Sequence, residues 1–168
     1  MTKRKPSQGA RKTETLTLRL DPKAKFTIDL LSRTRRQSIT TVIESAIDEM
    51  AYDQDVDTPE GKWTLGSAVT EVWSTDEAVR FLRMCEFMPG LLTHEEQRLW
   101  ETIKASPAFL ANERSTVTTS REVKGVGRLD ITVVRVYWND LLKHVEQNRD
   151  SRTIVPFKST MLPLDPPL

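Results

Sequence analysis

The chain has 168 residues, of which 38% are hydrophobic, with a single cysteine and a formal net charge of +1. This length fits one ordinary domain or a small domain plus a second unit, and one cysteine excludes an intramolecular disulfide framework and indicates a reducing compartment. No run of about 18 apolar residues occurs and no apolar stretch follows the basic N-terminus, so the sequence predicts a cytoplasmic protein that is neither exported nor membrane-spanning.

The small net charge hides an uneven distribution of charged side chains. Residues 1–36 carry eleven basic and three acidic side chains, a net charge of +8, whereas residues 37–60 carry seven acidic and no basic ones, a net charge of −7. Such runs commonly form solvated surfaces that only keep a protein soluble. Here the basic run surrounds a predicted strand, residues 15–20, whose outward face ends in Arg19, and this favours a polyanion as the partner.

The first thirteen residues are polar and basic and contain no apolar anchor. They predict a disordered arm over residues 1–13 in the free protein. Lysine and arginine in such an arm can lie along phosphates, and the counterions that they release make the affinity steeply salt-dependent. The residues predicted to contact phosphate are Lys3, Arg4, Lys5, Arg11 and Lys12.

Residues 15–20, Thr-Leu-Thr-Leu-Arg-Leu, alternate polar and apolar side chains. This period of two predicts a strand with the leucines on one face and Thr15, Thr17 and Arg19 on the other. No second strand follows nearby in the sequence, so the unpaired backbone groups need a partner from elsewhere. We expect the same strand of a second copy to pair with it. The resulting two-stranded ribbon has a width that the DNA major groove admits.

Two helices are predicted directly after this strand. Asp21-Pro22 is a typical helix start, and the first helix is expected to reach about Arg35 and to bury an apolar stripe. Ser38 is expected to cap a second helix that runs to about Ala51. The amino end of that helix combines bare N–H groups, the positive end of the macrodipole and hydroxyl groups, which suits a phosphate oxygen. The apolar stripe of the first helix comprises Ala24, Ile28 and Leu31.

These features together resemble a ribbon-helix-helix DNA-binding domain of the Arc, MetJ and CopG kind, over residues 14–52. The matching features are the alternating strand, the Asp-Pro helix entry, the Ala24/Ile28/Leu31 stripe and the run Ser-Ile-Thr-Thr-Val-Ile-Glu-Ser-Ala-Ile from Ser38 to Ile47. Many members have glycine in the turn between the helices, where this chain has Arg35-Arg36-Gln37.

The resemblance implies an intertwined dimer of one strand and two helices per copy. It implies that Thr15, Thr17 and Arg19 read base edges. It also implies that the amino end of the second helix, with Ser38, the amide of Ile39 and Thr40, holds the DNA backbone.

The side chains on the polar face of the strand also suit direct readout by their own chemistry. Arg19 can form a bidentate pair with guanine O6 and N7, and threonine can donate, accept or pack its methyl group on thymine. Each bidentate pair discriminates against the wrong base by about 1–3 kcal/mol. The alternative is an exposed ribbon whose polar face only meets water.

The rest of the chain predicts a second, mostly helical unit. We expect an acidic linker over residues 53–61, a helical C-terminal domain over 62–150 and a proline-rich extended tail over 151–168. Within the domain, Ser74-Thr75-Asp76-Glu77 and Thr93-His94-Glu95-Glu96 predict capping boxes. The first of the two helices that they open is expected to bury Val79, Leu82 and Met84 or Phe87, and the second is expected to bury Leu99, Trp100 and Ile103. Residues 113–127 predict an exposed loop or a weak hairpin, and residues 130–147 are expected to form one helix, although the first half also fits a strand.

The second unit contains little that points to catalysis. Neither histidine belongs to a cluster with metal-ligand spacing, and Lys124-Gly125-Val126-Gly127 lacks the spacing of a phosphate-binding loop. We therefore expect no catalytic residue, no metal and no cofactor. The four tryptophans are expected to fill the core, and Cys85 is expected to be a small buried hydrophobe.

Three functions remain open at this point. The first is a sequence-specific dimeric DNA-binding protein, a bacterial repressor that occupies an operator with inverted or repeated half-sites. The second is an antitoxin or a plasmid partition or transfer accessory protein with the same DNA-binding head and a partner-binding C-terminal domain. The third, an enzyme that its N-terminal domain targets to DNA, has no motif behind it.

Overall fold

The computed structural model describes residues 16–111, 120–123 and 127–158, and this part of the chain is mainly helical. It divides into two compact units, Met1–Ile47 (unit 1) and Asp48–Leu168 (unit 2). The helices are α1 Pro22–Arg35, α2 Ile39–Asp53, α3 Leu65–Val72, α4 Glu77–Phe87, α5 His94–Ala105, α6 Ile131–Val136 and α7 Trp138–Gln147. The strands are β1 Asp55–Thr58, β2 Gly61–Thr64, β3 Ser120–Val123 and β4 Gly127–Asp130.

Helix α1 begins at the predicted Asp-Pro pair. The Asp21 carboxylate accepts hydrogen bonds from the amides of Lys23 and Ala24 at 2.9 and 3.0 Å. Pro22 occupies the first helical position, where no backbone N–H is needed. Both boundaries of the first predicted helix are therefore confirmed.

The turn after α1 contains a non-glycine residue in a left-handed conformation. Arg36 has φ 52° and ψ 41°. Its amide donates to the carbonyl of Arg33, and the amide of Gln37 donates to the carbonyl of Ser32 at 3.1 Å. These two bonds form a Schellman motif, whose left-handed position is usually glycine because a Cβ atom is disfavoured there.

We expect Arg36→Gly to stabilise α1, because glycine adopts positive φ without the steric cost of a side chain. The gain should be about 0.5–1 kcal/mol once the greater freedom of glycine in the unfolded chain is subtracted. Amide hydrogen exchange of α1 should therefore become slower. Arg33→Gly is the matched control, since it removes the same side chain from a helical position and should destabilise the helix by about 1 kcal/mol.

A β-hairpin replaces most of the linker that the sequence predicts over residues 53–61. Strands β1 and β2 pair antiparallel, with Val56 opposite Trp63. The turn uses Gly61 at φ 120°, and the Thr58 hydroxyl donates to the Gly61 carbonyl at 2.8 Å. Val56 is buried in a small cluster with Ala68, Val72 and Met88, so a single apolar residue anchors this acidic segment.

Helices α4 and α5 confirm the two predicted helix starts, with a correction to the first. Asp76 alone caps α4, and its carboxylate accepts from the amide of Val79 at 3.0 Å. The capping box of α5 is complete, because Thr93 and Glu96 each accept from the backbone amide of the other.

The buried faces of these two helices agree only in part with the predicted ones. Leu99, Trp100 and Ile103 of α5 are buried as expected. In α4 the buried side chains are Ala78, Phe81, Leu82 and Cys85, whereas Val79, Met84 and Phe87 are only partly buried. The face of α4 that meets the core is thus rotated from the predicted one.

The segment from residue 120 to 147 forms a hairpin and two helices. Strands β3 and β4 pair antiparallel, with Ser120 opposite Asp130, which selects the hairpin over the open loop. Asp130 caps α6 by accepting from the amides of Thr132 and Val133 at 3.0 and 3.1 Å. The single helix predicted over 130–147 is divided at Tyr137 into α6 and α7.

The core of unit 2 includes a residue from the predicted extended tail. Residues 151–158 contain no helix or strand, yet Phe157 is only 1% exposed and stacks on Phe109 with 5.3 Å between ring centroids. Its amide donates to Ser106 Oγ at 2.7 Å, and His144 Nε2 lies 2.8 Å from the Val155 carbonyl oxygen. The remainder of the predicted tail, residues 159–168, lies outside the described residues.

The tryptophans differ in how far they are buried, and Cys85 is buried. Trp100 and Trp138 are buried as predicted, but Trp73 is 61% exposed, with the Arg80 guanidinium 5.2 Å from its ring centroid. The prediction that every tryptophan fills the core is therefore wrong for Trp73. Cys85 is buried as expected, and burial raises the pKa of its thiol to about 12, so it is unreactive at neutral pH.

Candidate nucleic-acid interface

The structure describes two of the three predicted base-reading residues. Thr17 and Arg19 are both exposed, while Thr15 lies outside the described residues, as do the arm residues Lys3, Arg4, Lys5, Arg11 and Lys12. Residues 16–20 pair with no strand in the described part of this single chain. The strand and its pairing across a dimer therefore stay predictions.

The apolar side chains of unit 1 are largely uncovered in the single chain. Leu16, Leu18 and Leu20 are 76%, 52% and 47% exposed. Helix α1 has no fully buried residue, and in its predicted stripe Ala24 and Ile28 are only partly buried while Leu31 is exposed. Among the described residues of this unit, Val42 is the one buried hydrophobe. The other exposed large apolar residues of unit 1 are Phe26, Leu30, Leu31, Ile39 and Ile47.

The amino end of α2 has the geometry of a capped helix start. Ser38 Oγ accepts from the amide of Thr41 at 3.1 Å and lies 2.9 Å from Thr41 Oγ1. Ile39 and Thr40 are exposed and belong to the first turn, whose N–H groups have no intrahelical acceptor. The first turn contains no acidic side chain, so its positive dipole end is not offset locally.

Basic side chains outnumber acidic ones on the described part of unit 1. Residues 16–47 carry six basic and three acidic side chains. All six basic residues are exposed, and five of them lie in or beside α1. The five belong to the basic run that favours a polyanion, and the spacing of the apolar stripe predicts them on the outer side of that helix, but no individual DNA contact was predicted for any of them. The six basic residues are Arg19, Lys23, Lys25, Arg33, Arg35 and Arg36.

The described part of unit 2 was searched for metal-ligating groups and for membrane-spanning helices by the residue types and helix lengths that these features require. Among the described residues, no group of three or more His, Cys, Asp or Glu side chains could hold a metal ion. His94 is exposed at the start of α5, and buried His144 is engaged with the backbone of Val155. No helix within the described ranges has both the length and the apolarity that a membrane crossing requires.

Comparison of the chain with protein-family models, with curated proteins and with solved structures gave no match.

Proposed function

We propose that this protein is a sequence-specific DNA-binding protein that acts as a homodimer, with a ribbon-helix-helix domain over residues 14–52. The observation that carries the proposal is the exposure of Leu16, Leu18 and Leu20 beside exposed Thr17 and Arg19. One face of this segment requires cover from water, and the other offers hydrogen-bonding groups. An intersubunit ribbon satisfies both requirements.

The exposed apolar surface of unit 1 supports the dimer. Monomeric proteins rarely expose large contiguous apolar patches, and such patches commonly mark interaction sites. A second copy is the simplest partner, because a two-fold interface uses the same surface patch on both chains. Pairing of residues 15–20 with their symmetry mate also supplies the backbone hydrogen bonds that a lone strand lacks.

The polar face of unit 1 supports double-stranded DNA as the ligand. A two-stranded ribbon fits the major groove, where Thr15, Thr17 and Arg19 of both copies would meet base edges. The uncompensated amino end of α2 at Ser38, Ile39 and Thr40 suits a backbone phosphate. The arm residues 1–13 would add contacts that depend on salt and not on sequence.

These features favour a cytoplasmic bacterial transcriptional repressor as the function of the protein. Two-fold symmetry in the protein would be matched by paired half-sites in the operator. Occupation of such an operator blocks access to a promoter without any catalytic step, so the proposal needs no cofactor and no active site.

A second candidate function uses the same DNA-binding head in an antitoxin or in a plasmid partition or transfer factor. Unit 2 exposes Val69 and Trp73, which lie one helical turn apart at the end of α3. Exposed tryptophan is typical of protein interfaces. A partner that binds the wild-type chain and is lost on Trp73→Ala, with DNA binding unchanged, would favour this candidate.

We expect Arg19→Ala to remove sequence preference while leaving general DNA affinity nearly intact. Sites selected from random DNA by the wild-type protein should bind the variant about 5- to 150-fold more weakly, the equivalent of about 1–3 kcal/mol. Binding to random duplexes should change little. Fluorescence anisotropy with both duplexes measures the difference, and an equal loss on both would place Arg19 on phosphate.

Deletion of residues 1–12 is the matched control, because this arm is predicted to contact phosphates, which are the same in every DNA sequence. It should lower affinity for all duplexes alike and flatten the dependence of affinity on salt, because fewer counterions are released. A deletion that changed only the affinity for selected sites would contradict the assignment of the arm to phosphate.

A further inference from the structure

Helix α1 carries apolar side chains on two opposite sides. Ala24 and Ile28 belong to the predicted stripe and are partly buried, whereas Phe26 is 61% and Leu30 is 43% exposed. Phe26 and Leu30 each lie two positions from Ile28, which corresponds to about 200° around a helix. Because four positions separate Phe26 from Leu30, the two side chains share one face. We call it the outer α1 face.

The proposed ribbon dimer leaves the outer α1 face uncovered. That dimer covers the leucine side of residues 15–20 and the stripe that contains Ile28. A face that points about 200° away from Ile28 stays in water in the same assembly. Removal of neighbouring apolar side chains from water favours association, so a second contact of α1 would be stabilising.

The charges that flank the outer α1 face alternate in sign along the helix. Lys25, Asp29 and Arg33 follow one another at intervals of four positions, and Asp29 is the one carboxylate of α1. Asp29 is partly buried, and its carboxylate forms no ion pair or hydrogen bond with any residue that the structure describes. This carboxylate is therefore available to a cation from outside the chain.

A second copy of the outer α1 face supplies that cation. Consider two α1 helices that pack antiparallel about a two-fold axis level with position 31. Asp29 of each copy, two positions before the axis, then lies beside Arg33 of the other copy, two positions after it. The two Leu30 side chains meet next to the axis, and each Phe26 packs on the last turn of the other α1. The antiparallel arrangement also opposes the two helix dipoles.

We propose that the outer α1 face binds a second copy of itself, so that two ribbon dimers associate through α1. The contact covers far less than the ~1,200 Å² that specific stable interfaces bury, and the basic side chains around it repel one another. The association is therefore weak, with a Kd on the order of 10⁻⁴ M. This contact is separate from the ribbon and from DNA, so it goes beyond the proposed function. An assembly of two dimers presents two ribbons, which makes binding to DNA with two sites bivalent.

Sedimentation of the full chain between about 10 μM and 1 mM measures this association without DNA. The mass of the wild-type protein should rise towards twice that of the dimer at the upper concentration. Phe26→Gln removes the apolar contact and should keep the mass of the dimer throughout. Lys25→Gln is the matched control, because it introduces the same residue one position away, about 100° around the helix, and it should associate at least as strongly as the wild type.

An exchange of two charges tests the pairing itself. Asp29→Arg alone and Arg33→Asp alone each place like charges opposite one another in the two copies, and each should weaken the association at least about fivefold. The combination of both substitutions restores opposite charges and should recover the wild-type association within about twofold. Circular dichroism of all three variants checks that the helix content is unchanged.

The proposal is overturned if the wild-type protein keeps the mass of the dimer at the upper concentration, or if Phe26→Gln associates as the wild type does. It is also overturned if the combined exchange associates no better than the single ones. A wild-type chain that sediments as a single copy at the lower concentration would contradict the ribbon dimer instead. Failure of DNA binding in a separate assay would leave all of these outcomes intact.

Discussion

Leu18→Asp is expected to convert the protein into a monomer and to lower its affinity for DNA by more than about a hundredfold. In the single chain Leu18 is 52% exposed, but in the proposed dimer it lies under the ribbon against a second copy. A carboxylate there would be buried without a partner, which costs several kcal/mol and favours dissociation. Sedimentation equilibrium and DNA-binding isotherms on the full chain measure the two effects.

The neighbouring substitution Thr17→Asp is the matched control. It introduces the same charge one position away, on the face predicted to meet DNA. The protein should remain dimeric, while the added negative charge opposes the phosphates and weakens DNA binding. If Leu18→Asp stays dimeric, or if both variants dissociate to the same degree, the two faces of this segment have been assigned incorrectly.

Phe157→Ala is expected to destabilise unit 2 by about 3–5 kcal/mol, the usual cost of removing a fully buried aromatic side chain. The ring is in contact with Phe109, Tyr137 and His144, so its removal leaves a cavity among side chains from separate segments. All four tryptophans lie in unit 2, and urea unfolding followed by their fluorescence therefore reports on this unit.

Two further variants make the test of Phe157 specific. Lys158→Ala removes the exposed neighbouring side chain and should change stability by no more than about 0.5 kcal/mol. Ser106→Ala removes the hydroxyl that accepts from the Phe157 amide and should cost about 1–3 kcal/mol, because that amide is left unpaired. Equal stability of Phe157→Ala and Lys158→Ala would contradict the docking of the tail.

Local signals in the sequence predicted the helix starts well. Asp21 and Thr93 cap helices through side-chain bonds that involve residues two or three positions away. Such contacts are encoded within one turn of chain, so they can be recognised without knowledge of the fold. The predicted start at Ser38 has the same local character.

Features that depend on distant residues were predicted less well. The β1–β2 hairpin was taken for a linker because the predicted linker is rich in carboxylates such as Asp55, Asp57 and Glu60 and contains one buried apolar residue, Val56. The burial of Val56 depends on Ala68, Val72 and Met88, which come later in the chain. Similarly, Phe157 is held by residues such as Ser106 and Phe109, about fifty positions away, and the surrounding prolines gave no sign of that contact.

The proposed DNA-binding face and a cavity in unit 2 also differ in whether neighbouring or distant residues determine them. The alternation of residues 15–20 predicts which side chains form the proposed DNA-binding face. In contrast, the sequence did not predict the cavity that residues of α4, α5 and α7 line in unit 2. Its lining comes from three helices separated by long stretches of chain. Periodicity identified the helices without indicating which of their faces would enclose a cavity.

The most direct measurement of the central claim is the distance between spin labels at position 17 in the two copies of a Thr17→Cys variant. Buried Cys85, with its raised pKa, does not compete for the label at neutral pH. Antiparallel strands about 5 Å apart, with about 3.3 Å per residue along each strand, predict one narrow distance within about 20 Å. A broad distribution at longer distances, or no dipolar coupling at all, would contradict the intersubunit ribbon.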